Sequence, residues 1–388
     1  MKLIIDMKNC DFCKGALTSI YKVPDTSRGA VVSICDICGL VQTVFTKKKP
    51  KERMVSTSSG AGWGNIRHGK GLRLDKNKAL LQKLVPWQDC KTILDIGANR
   101  GDFIHWISEV NPRSCITAVE PDSHVVDSYK DHANVDLVVD RFEHTTLQPE
   151  YFDFIYCFHT LEHADSALEM LNHLYILLKT GGYAFIEVPN IDVITENDVV
   201  EEFFIDKHKF HFNRSILLDY LRAMDCEIIF GEKETDKSNI TFLIQKKVKR
   251  QIQEKVSFAD KTRVTKNTAA IGEYARILEM NRGKLKEAAE KLEAFMKRQK
   301  VVLWGAGRIF DALVRYGGLS TEHIYCLVDS YLAPLLPEVH EVPIKAPNSL
   351  RLLEPDVVIV LAKTSTVDIE AQARKFGIRH VIKFSDLF

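Results

Sequence analysis

Residues 93–103 read ILDIGANRGDF, an apolar run that closes on Asp95 and turns through Gly97, Asn99 and Gly101 into a helix starting near Asp102. Glycines in such a turn let backbone come close to a bound molecule, and the amides of the helix N-terminus can receive a carboxylate. Two further acids end comparable apolar runs downstream, Glu120 in ITAVEPD and Asp140 in LVVDRFE. A carboxylate about 20 residues beyond the glycine turn can accept both hydroxyls of a ribose, and Asp140 is placed to meet an adenine amine. Around this core the chain alternates helix and strand. KTILDIGA, CITAVE, VDLVVD, FDFIYCF and YAFIEVP read as strands, and helices are expected at 165–178 and 214–224. CEIIFGEK and ITFLIQKK follow as antiparallel edge strands. The pattern predicts an α/β fold, a parallel sheet covered by helices.

The turn also separates two cofactor types. A dinucleotide fingerprint needs GxGxxG to admit a pyrophosphate, whereas this turn is GANRG. A sulfonium cofactor has no phosphate, needs fewer glycines, and is tolerated by acidic and aromatic surroundings. The sequence favours the sulfonium.

The strongest spacing signal lies near the start. Cys10, Cys13, Cys35 and Cys38 form two CxxC knuckles, CDFC and CDIC, 21 residues apart. Two such turns complete a tetrahedral thiolate site with no open position, the structural type of zinc site. Gly15 and Gly39 follow the knuckles, where a tight turn wants positive φ. The other five of the nine cysteines sit in apolar contexts and read as core. The 388 residues exceed one ordinary core, and 45% hydrophobic with 27% charged residues is globular composition. A net charge of +1 gives no sign of a polyanionic partner. No stretch approaches a membrane span, and the short apolar run at the N-terminus is no secretion signal, so a cytoplasmic protein is expected.

Five segments follow: 1–50, a four-cysteine zinc module; 51–75, a Gly-rich basic loop; 76–247, the α/β domain; 248–299, a helical connector; and 300–388, a smaller α/β domain opening VLWGAG. In the loop, Trp63 among glycines with Arg67, His68 and Lys70 could hold a phosphate or diphosphate. The alternative there is a solvated basic linker. GAGRIFDAL with Asp329 also invites a dinucleotide reading, but its third glycine is missing.

Taken together, LDIGANRGDF, VEPD, DRFEHTTL, the run from YFDFIYCFHTLEHAD to EVPN and KHKFHFNRSILLDYL resemble the class I S-adenosylmethionine-dependent methyltransferases, whose sheet is Rossmann-like. The likeness implies that Asp95, Gly97, Asn99 and Gly101 line the methionine end and that Glu120 takes the ribose. It places Asp140 and Arg141 near the adenine, and Phe158 and His159 against the cofactor. The order of segments is similar to the zinc-containing sugar C-methyltransferases that act on nucleotide-linked keto-deoxysugars, in which the zinc and terminal domains help enclose the substrate and a histidine after the fifth strand is the base. Two motifs differ: Lys207-His208 stands where that family has Glu-His, and Lys237-Ser238-Asn239 where it has Gly-Gly-Ser. Carbon methylation is favoured, with oxygen or nitrogen as alternatives.

Methylating a carbon beside a ketone needs a base to form the enolate. His208 is the first candidate because neutral imidazole titrates near working pH, with His211 and His159 as alternatives. Lys207 could keep His208 neutral and stabilise oxyanion charge. His163 in LEHAD reads as a local structural residue. The expected partners are a small nucleotide-sugar from surface-glycan or secondary-metabolite biosynthesis, with no nucleic acid polymer and no membrane, and the protein is expected to be a monomer or homodimer. An enzyme acting on RNA or protein, or a non-catalytic binding protein, are the competing readings.

Overall fold

The computed structural model describes residues 9–24, 26–47, 72–130, 132–194, 199–201, 203–204, 208–224, 226–231, 238–247, 258–334, 336–362 and 366–388. These fall into two compact units, the second built mainly from Tyr274–Phe388. Trp63, Arg67, His68, Lys70 and Lys207 lie outside the described residues.

In the first unit, β1 (Leu17–Lys22), β2 (Ala30–Cys35) and β3 (Val41–Phe45) make an antiparallel meander. The chain then passes through α1 (Leu72–Leu84), β4 (Thr92–Ile96), α2 (Asp102–Val110), β5 (Cys115–Val119), β6 (Val135–Val138), β7 (Phe152–Phe158), α3 (Ala167–Leu177) and β8 (Leu178–Pro189). The short β9 (Phe210–His211) crosses to β3, with Val41 opposite His211. Last come α4 (Arg214–Ala223), β10 (Cys226–Phe230) and β11 (Asn239–Lys246), which complete a seven-stranded sheet ordered β10-β11-β8-β7-β4-β5-β6.

Strands β4 to β8 are parallel, as the alternating pattern predicts, and β11 runs antiparallel between β8 and β10. Of these last two strands β10 lies at an edge and β11 does not, which corrects the expectation that both would be edge strands. Ile240, Phe242, Leu243 and Ile244 of β11 are all fully buried, so this strand is apolar on both faces and needs cover on both sides. From β4 the chain builds outward through β5 and β6, then returns to the other side of β4 as β7. That reversal opens a crevice at the carboxyl ends of the parallel strands, the usual ligand position in such sheets.

The cysteine segment shares this core. Cys10, Phe12 and Leu40 pack into one apolar cluster with Leu171, Leu174, Tyr220 and Ile244, and Phe12 stacks on Tyr220 with ring centroids 4.2 Å apart. Roughly 40 residues bury too little surface to stand alone. Buried Asp11 bolts the knuckle down: its carboxylate accepts from the Ser166 hydroxyl (2.5 Å), the Leu168 amide (2.9 Å) at the positive start of α3, and the Tyr220 hydroxyl (3.1 Å).

The long helix α5 (Lys261–Met296) begins against the second knuckle. Arg263, 6% exposed, donates to the Cys38 carbonyl at 2.7 Å and to Asp219 at 2.8 Å. Arg263→Ala is expected to cost roughly 3 kcal/mol, because it strands the Asp219 carboxylate and a buried carbonyl. Urea unfolding checks this, and a loss under about 0.5 kcal/mol would contradict it.

In the second unit, the later turns of α5 pack Leu285, Ala288 and Leu292 beside Phe310 and Leu313. The sheet holds β12 (Val301–Trp304), β13 (Leu327–Val328), β14 (Glu338–Val339), β15 (Val342–Lys345), β16 (Val357–Val360) and β17 (Val381–Lys383) in the order β14-β15-β13-β12-β16-β17. It is parallel except for the β14–β15 pair. Among the described residues no helix is long and apolar enough to cross a membrane.

Candidate active site and cysteine cluster

The loop after β4 carries the decisive turn. Gly97 has φ +75°, and a Cβ there would run into the Thr160 hydroxyl and side chain after β7. Only glycine fits both the backbone and the space. Asn99, also left-handed at φ +49°, is held by its neighbours: its amide donates to Glu120 Oε2 at 3.0 Å and its carbonyl accepts the Tyr129 hydroxyl at 2.5 Å. Gly101, at φ +83°, starts α2 without any side-chain cap, which leaves the helix N-terminus open to an anion.

Asp95 is 2% exposed at the end of β4. Burial, then the charges of Glu120 and Asp102, push its pKa well above the usual carboxylate range. A buried acid of this kind is relieved by a cation. Glu120 follows β5; Oε1 accepts the Asp122 amide at 2.8 Å, and Oε2 accepts Asn99. A carboxylate has about four acceptor positions and can serve several donors at once. These groups fit a small cationic nucleoside: an acid for positive charge, a glycine cradle for close approach, and a carboxylate for hydroxyls.

Asp140 lies two residues past β6 with a side chain 50% exposed, bonded to His144 Nδ1 at 3.1 Å and to the Arg141 amide at 2.7 Å. The Arg141 amide, then His144, hold its pKa below the usual value. The Arg141 guanidinium turns to Glu143 at 2.8 Å and to the His163 carbonyl at 3.3 Å. The structure therefore brings Asp95, Gly97, Asn99, Gly101 and Glu120 to one turn, while the Asp140 and Arg141 side chains are occupied by local partners.

Beside the turn stands a cluster of acids and imidazoles. Phe158 ends β7 opposite Glu187 of β8 and lies parallel to Tyr156, centroids 5.5 Å apart. His159 takes φ +49°, an unfavourable conformation for a side-chain-bearing residue, of the kind that collects at functional sites. It sits between two buried carboxylates: Nδ1 is 3.5 Å from Glu162 Oε1, and Nε2 is 3.3 Å from Glu187 Oε1. The other Glu187 oxygen accepts from Asn77 at 2.9 Å and Thr241 at 2.8 Å. Although burial would raise the Glu162 pKa, His163, then His159 and His208, hold it down at about 2.

His208 approaches from the segment before β9. Its Nδ1 lies 2.9 Å from the Phe203 carbonyl, and its ring meets that of His163 at 4.9 Å. Burial, then His163, pull its pKa down to about 4. His211, 3% exposed on β9, bonds Thr43 at 2.7 Å, and burial lowers its pKa well below the usual value. His163, read from sequence as a local structural residue, belongs to this cluster. Glu162, Glu187, Thr160, Tyr129 and Asn77 escaped the sequence reading; the one signal for Glu162 was its place beside a histidine after a strand end.

The four knuckle sulfurs converge separately. Their Sγ atoms all lie within 4.8 Å of one another, with Cys10–Cys38 at 3.6 Å and Cys13–Cys35 at 3.4 Å. Hydrogen bonding with Cys35 pushes the Cys10 thiol up to about 12, while bonds from Cys10 and Cys38 pull Cys35 down. Four thiols this close ionise together only around a cation, and their chemistry fits a tetrahedral soft-metal site. Gly39 has φ +73°, as the turn requires, but at the first knuckle Lys14 takes φ +62° and Gly15 does not. Gly15 serves space instead, since a Cβ there would come within 2.9 Å of Ile37 and 3.1 Å of Cys35 Sγ. In the second unit, the Asp329 carboxylate is taken by the amides of Ala306, Tyr331 and Leu332, so it ties its own loops together.

The family described as Methyltransferase domain matches residues 36–229, half of the chain, and the chain belongs to it. Its α/β sheet is the Rossmann-like sheet of class I methyltransferases. Among curated proteins it is similar to the tRNA U34 carboxymethyltransferase of Campylobacter concisus, 29% identical over 115 residues. The match covers 26% of this chain and 37% of that protein. The Campylobacter curvus protein of the same name is 27% identical over 110 residues, 27% of this chain and 37% of that one. The chain thus spans a little over a third of the length of these relatives. Solved structures similar to it include a SAM-dependent methyltransferase from Aquifex aeolicus, with 15% identity, 48% of this chain, 97% of that chain and TM-score 0.38. Another, from Mesorhizobium loti, has 13% identity, 44% and 97% coverage, and TM-score 0.37.

Proposed function

We propose that the chain transfers a methyl group from S-adenosylmethionine to a small nucleotide-activated sugar, with carbon as the favoured acceptor. The observation that carries the donor assignment is buried, uncompensated Asp95 beside the Gly97 turn and Glu120. The bound donor supplies an electrophilic methyl on a sulfonium. Asp95 faces its positive end, the start of α2 takes its carboxylate, and Glu120 takes the ribose hydroxyls. The sugar assignment rests on the order of zinc module, methyltransferase domain and terminal α/β domain. Trp63, Arg67, His68 and Lys70 are the proposed diphosphate-holding set, and the four knuckle cysteines the proposed structural zinc site.

For the base, the geometry favours His159 over His208 and His211. An imidazole with a pKa near 4 is a weak base at neutral pH, and His211 is deep and bonded to Thr43. His159 adjoins Phe158 and the donor turn, with Glu162 and Glu187 to orient the ring and offset the charge it gains with a proton.

RNA is the second reading, favoured by the tRNA-modifying relatives; the near-zero net charge speaks against a polyanionic substrate. Labelled donor offered with nucleotide-sugars, RNA and protein in parallel decides between them: label in a sugar supports the proposal, and label only in RNA or protein removes it.

Asp95 gives a test of the donor site. A carboxylate with a raised folded pKa keeps its proton where the unfolded chain has lost it, so stability falls as pH rises above about 3.8. Asp95→Asn is therefore expected to melt higher than the native chain at pH 7 without ligand. A bound cation favours the ionised acid, so binding S-adenosylhomocysteine, with its ammonium, releases a proton and tightens with pH. The variant should bind at least ~10-fold more weakly. Calorimetry in two buffers of different ionisation heat reads the proton; equal heats would discard the assignment.

A further inference from the structure

We propose that Glu162, His163 and His208 bind one divalent first-row metal ion, of the zinc, cobalt, manganese or iron(II) class, at a site separate from the cysteine cluster. The three ligand atoms lie within 4.8 Å of one another. Two imidazoles and one carboxylate are a donor set that such ions take, leaving positions open for other ligands.

Three features prepare this set for a cation. The Glu162 side chain is 2% exposed, and both of its oxygens are buried without a hydrogen bond. Two imidazole nitrogens face it, His159 Nδ1 at 3.5 Å and His163 Nε2 at 3.8 Å. A buried carboxylate whose facing imidazoles stand at 3.5 and 3.8 Å, out of close hydrogen-bond contact, is costly, and an ion bound directly to it removes that cost. Next, an Nδ1–H of His208 donating to the Phe203 carbonyl at 2.9 Å leaves the lone pair on Nε2, the outer-shell arrangement that orients a metal-binding histidine. Finally, the Lys209 amide donates to the Glu162 carbonyl at 2.8 Å, so the two ligand-bearing segments are joined through backbone before any ion arrives. The His163 side chain is 36% exposed, which leaves one side of the set open to an incoming oxygen.

The ion's use rests on the methyl-transfer reading: an acceptor oxygen coordinated there would have its developing negative charge stabilised, with the proton going to His159, whose charge Glu187 then offsets once Glu162 serves the ion. Binding of the ion does not depend on that reading.

The test is a Co²⁺ titration of the full chain with zinc already on the cysteines, followed by visible absorption and metal analysis. One further equivalent is expected, with ligand-field bands but no new thiolate charge-transfer band. Glu162→Gln and His163→Ala should each weaken it at least 100-fold while the zinc stays. His163 is partly exposed, so its variant keeps the test open if Glu162→Gln misfolds. Absence of saturable binding, cobalt seen only through thiolate bands, or binding that both variants leave intact would overturn the site. S-adenosylhomocysteine binding on the same samples reports on the methyl-transfer reading by itself.

Discussion

Cys38→Ser is expected to destabilise the whole first unit by at least about 4 kcal/mol and to lower the melting temperature by roughly 10 °C. Structural zinc in small peptides contributes about 10–16 kcal/mol of apparent binding energy, all of it folding energy where the unfolded chain has no site. Here the knuckles are woven into the larger core: Cys38 is fully buried, its carbonyl holds Arg263, and Asp11 ties the first knuckle to α3 and Tyr220. Loss of one ligand therefore loosens α3, α4 and the start of α5 together. Cys90→Ser is the control, since Cys90 is also buried but outside the cluster, and about 1 kcal/mol is expected. Differential scanning calorimetry with and without a chelator reads both. If Cys38→Ser melts with the native chain and the chelator has no effect, the cluster holds no structural metal.

His159→Ala is expected to lower kcat by about 10²- to 10⁴-fold, the usual contribution of a positioned base. Its dissociation constant for S-adenosylhomocysteine should move less than about threefold, because the groups assigned to the donor belong to the turn after β4 and to Glu120. His159 also occupies a left-handed conformation, and alanine keeps the Cβ that makes it unfavourable, so the substitution relieves no backbone strain. Single-turnover kinetics with labelled donor, beside calorimetry, separates the outcomes. Native kcat removes His159 from the reaction; a parallel collapse of cofactor binding makes it a binding residue instead.

The turn at 93–103 was legible in sequence because its chemistry is local: strand, acid, glycine and helix start follow one another within eleven residues. The two CxxC pairs were legible for the same reason, since a thiolate turn is a four-residue object. The histidine–glutamate cluster was not. His159, Glu162 and His163 sit after β7, Glu187 on β8 and His208 before β9; the sheet register, Phe158 beside Glu187, brings Glu187 to the first three, and the backbone bond from Lys209 to Glu162 brings His208. Sequence spacing also could not show that β11 would be interior, because apolarity on both faces fits a buried strand at any position in the order. The Gly15 reading missed for a steric reason: the glycine makes room for a neighbouring sulfur, a three-dimensional need that no turn preference encodes.

The stretch from His208 to Asn213 has a consequence for how this protein matures. Its backbone joins three places: the Thr43 amide donates to the Lys209 carbonyl, the Lys209 amide to the Glu162 carbonyl, and the Ile191 amide to the Phe212 carbonyl. One short strap thus closes the cysteine-bearing meander, the histidine cluster and the end of β8 in a single act. With the proposed structural metal on the four cysteines, a newly made chain starved of it could still assemble the donor turn on the parallel strands, yet would have no anchored meander on which to seat the strap, so metal supply would decide when the molecule becomes competent.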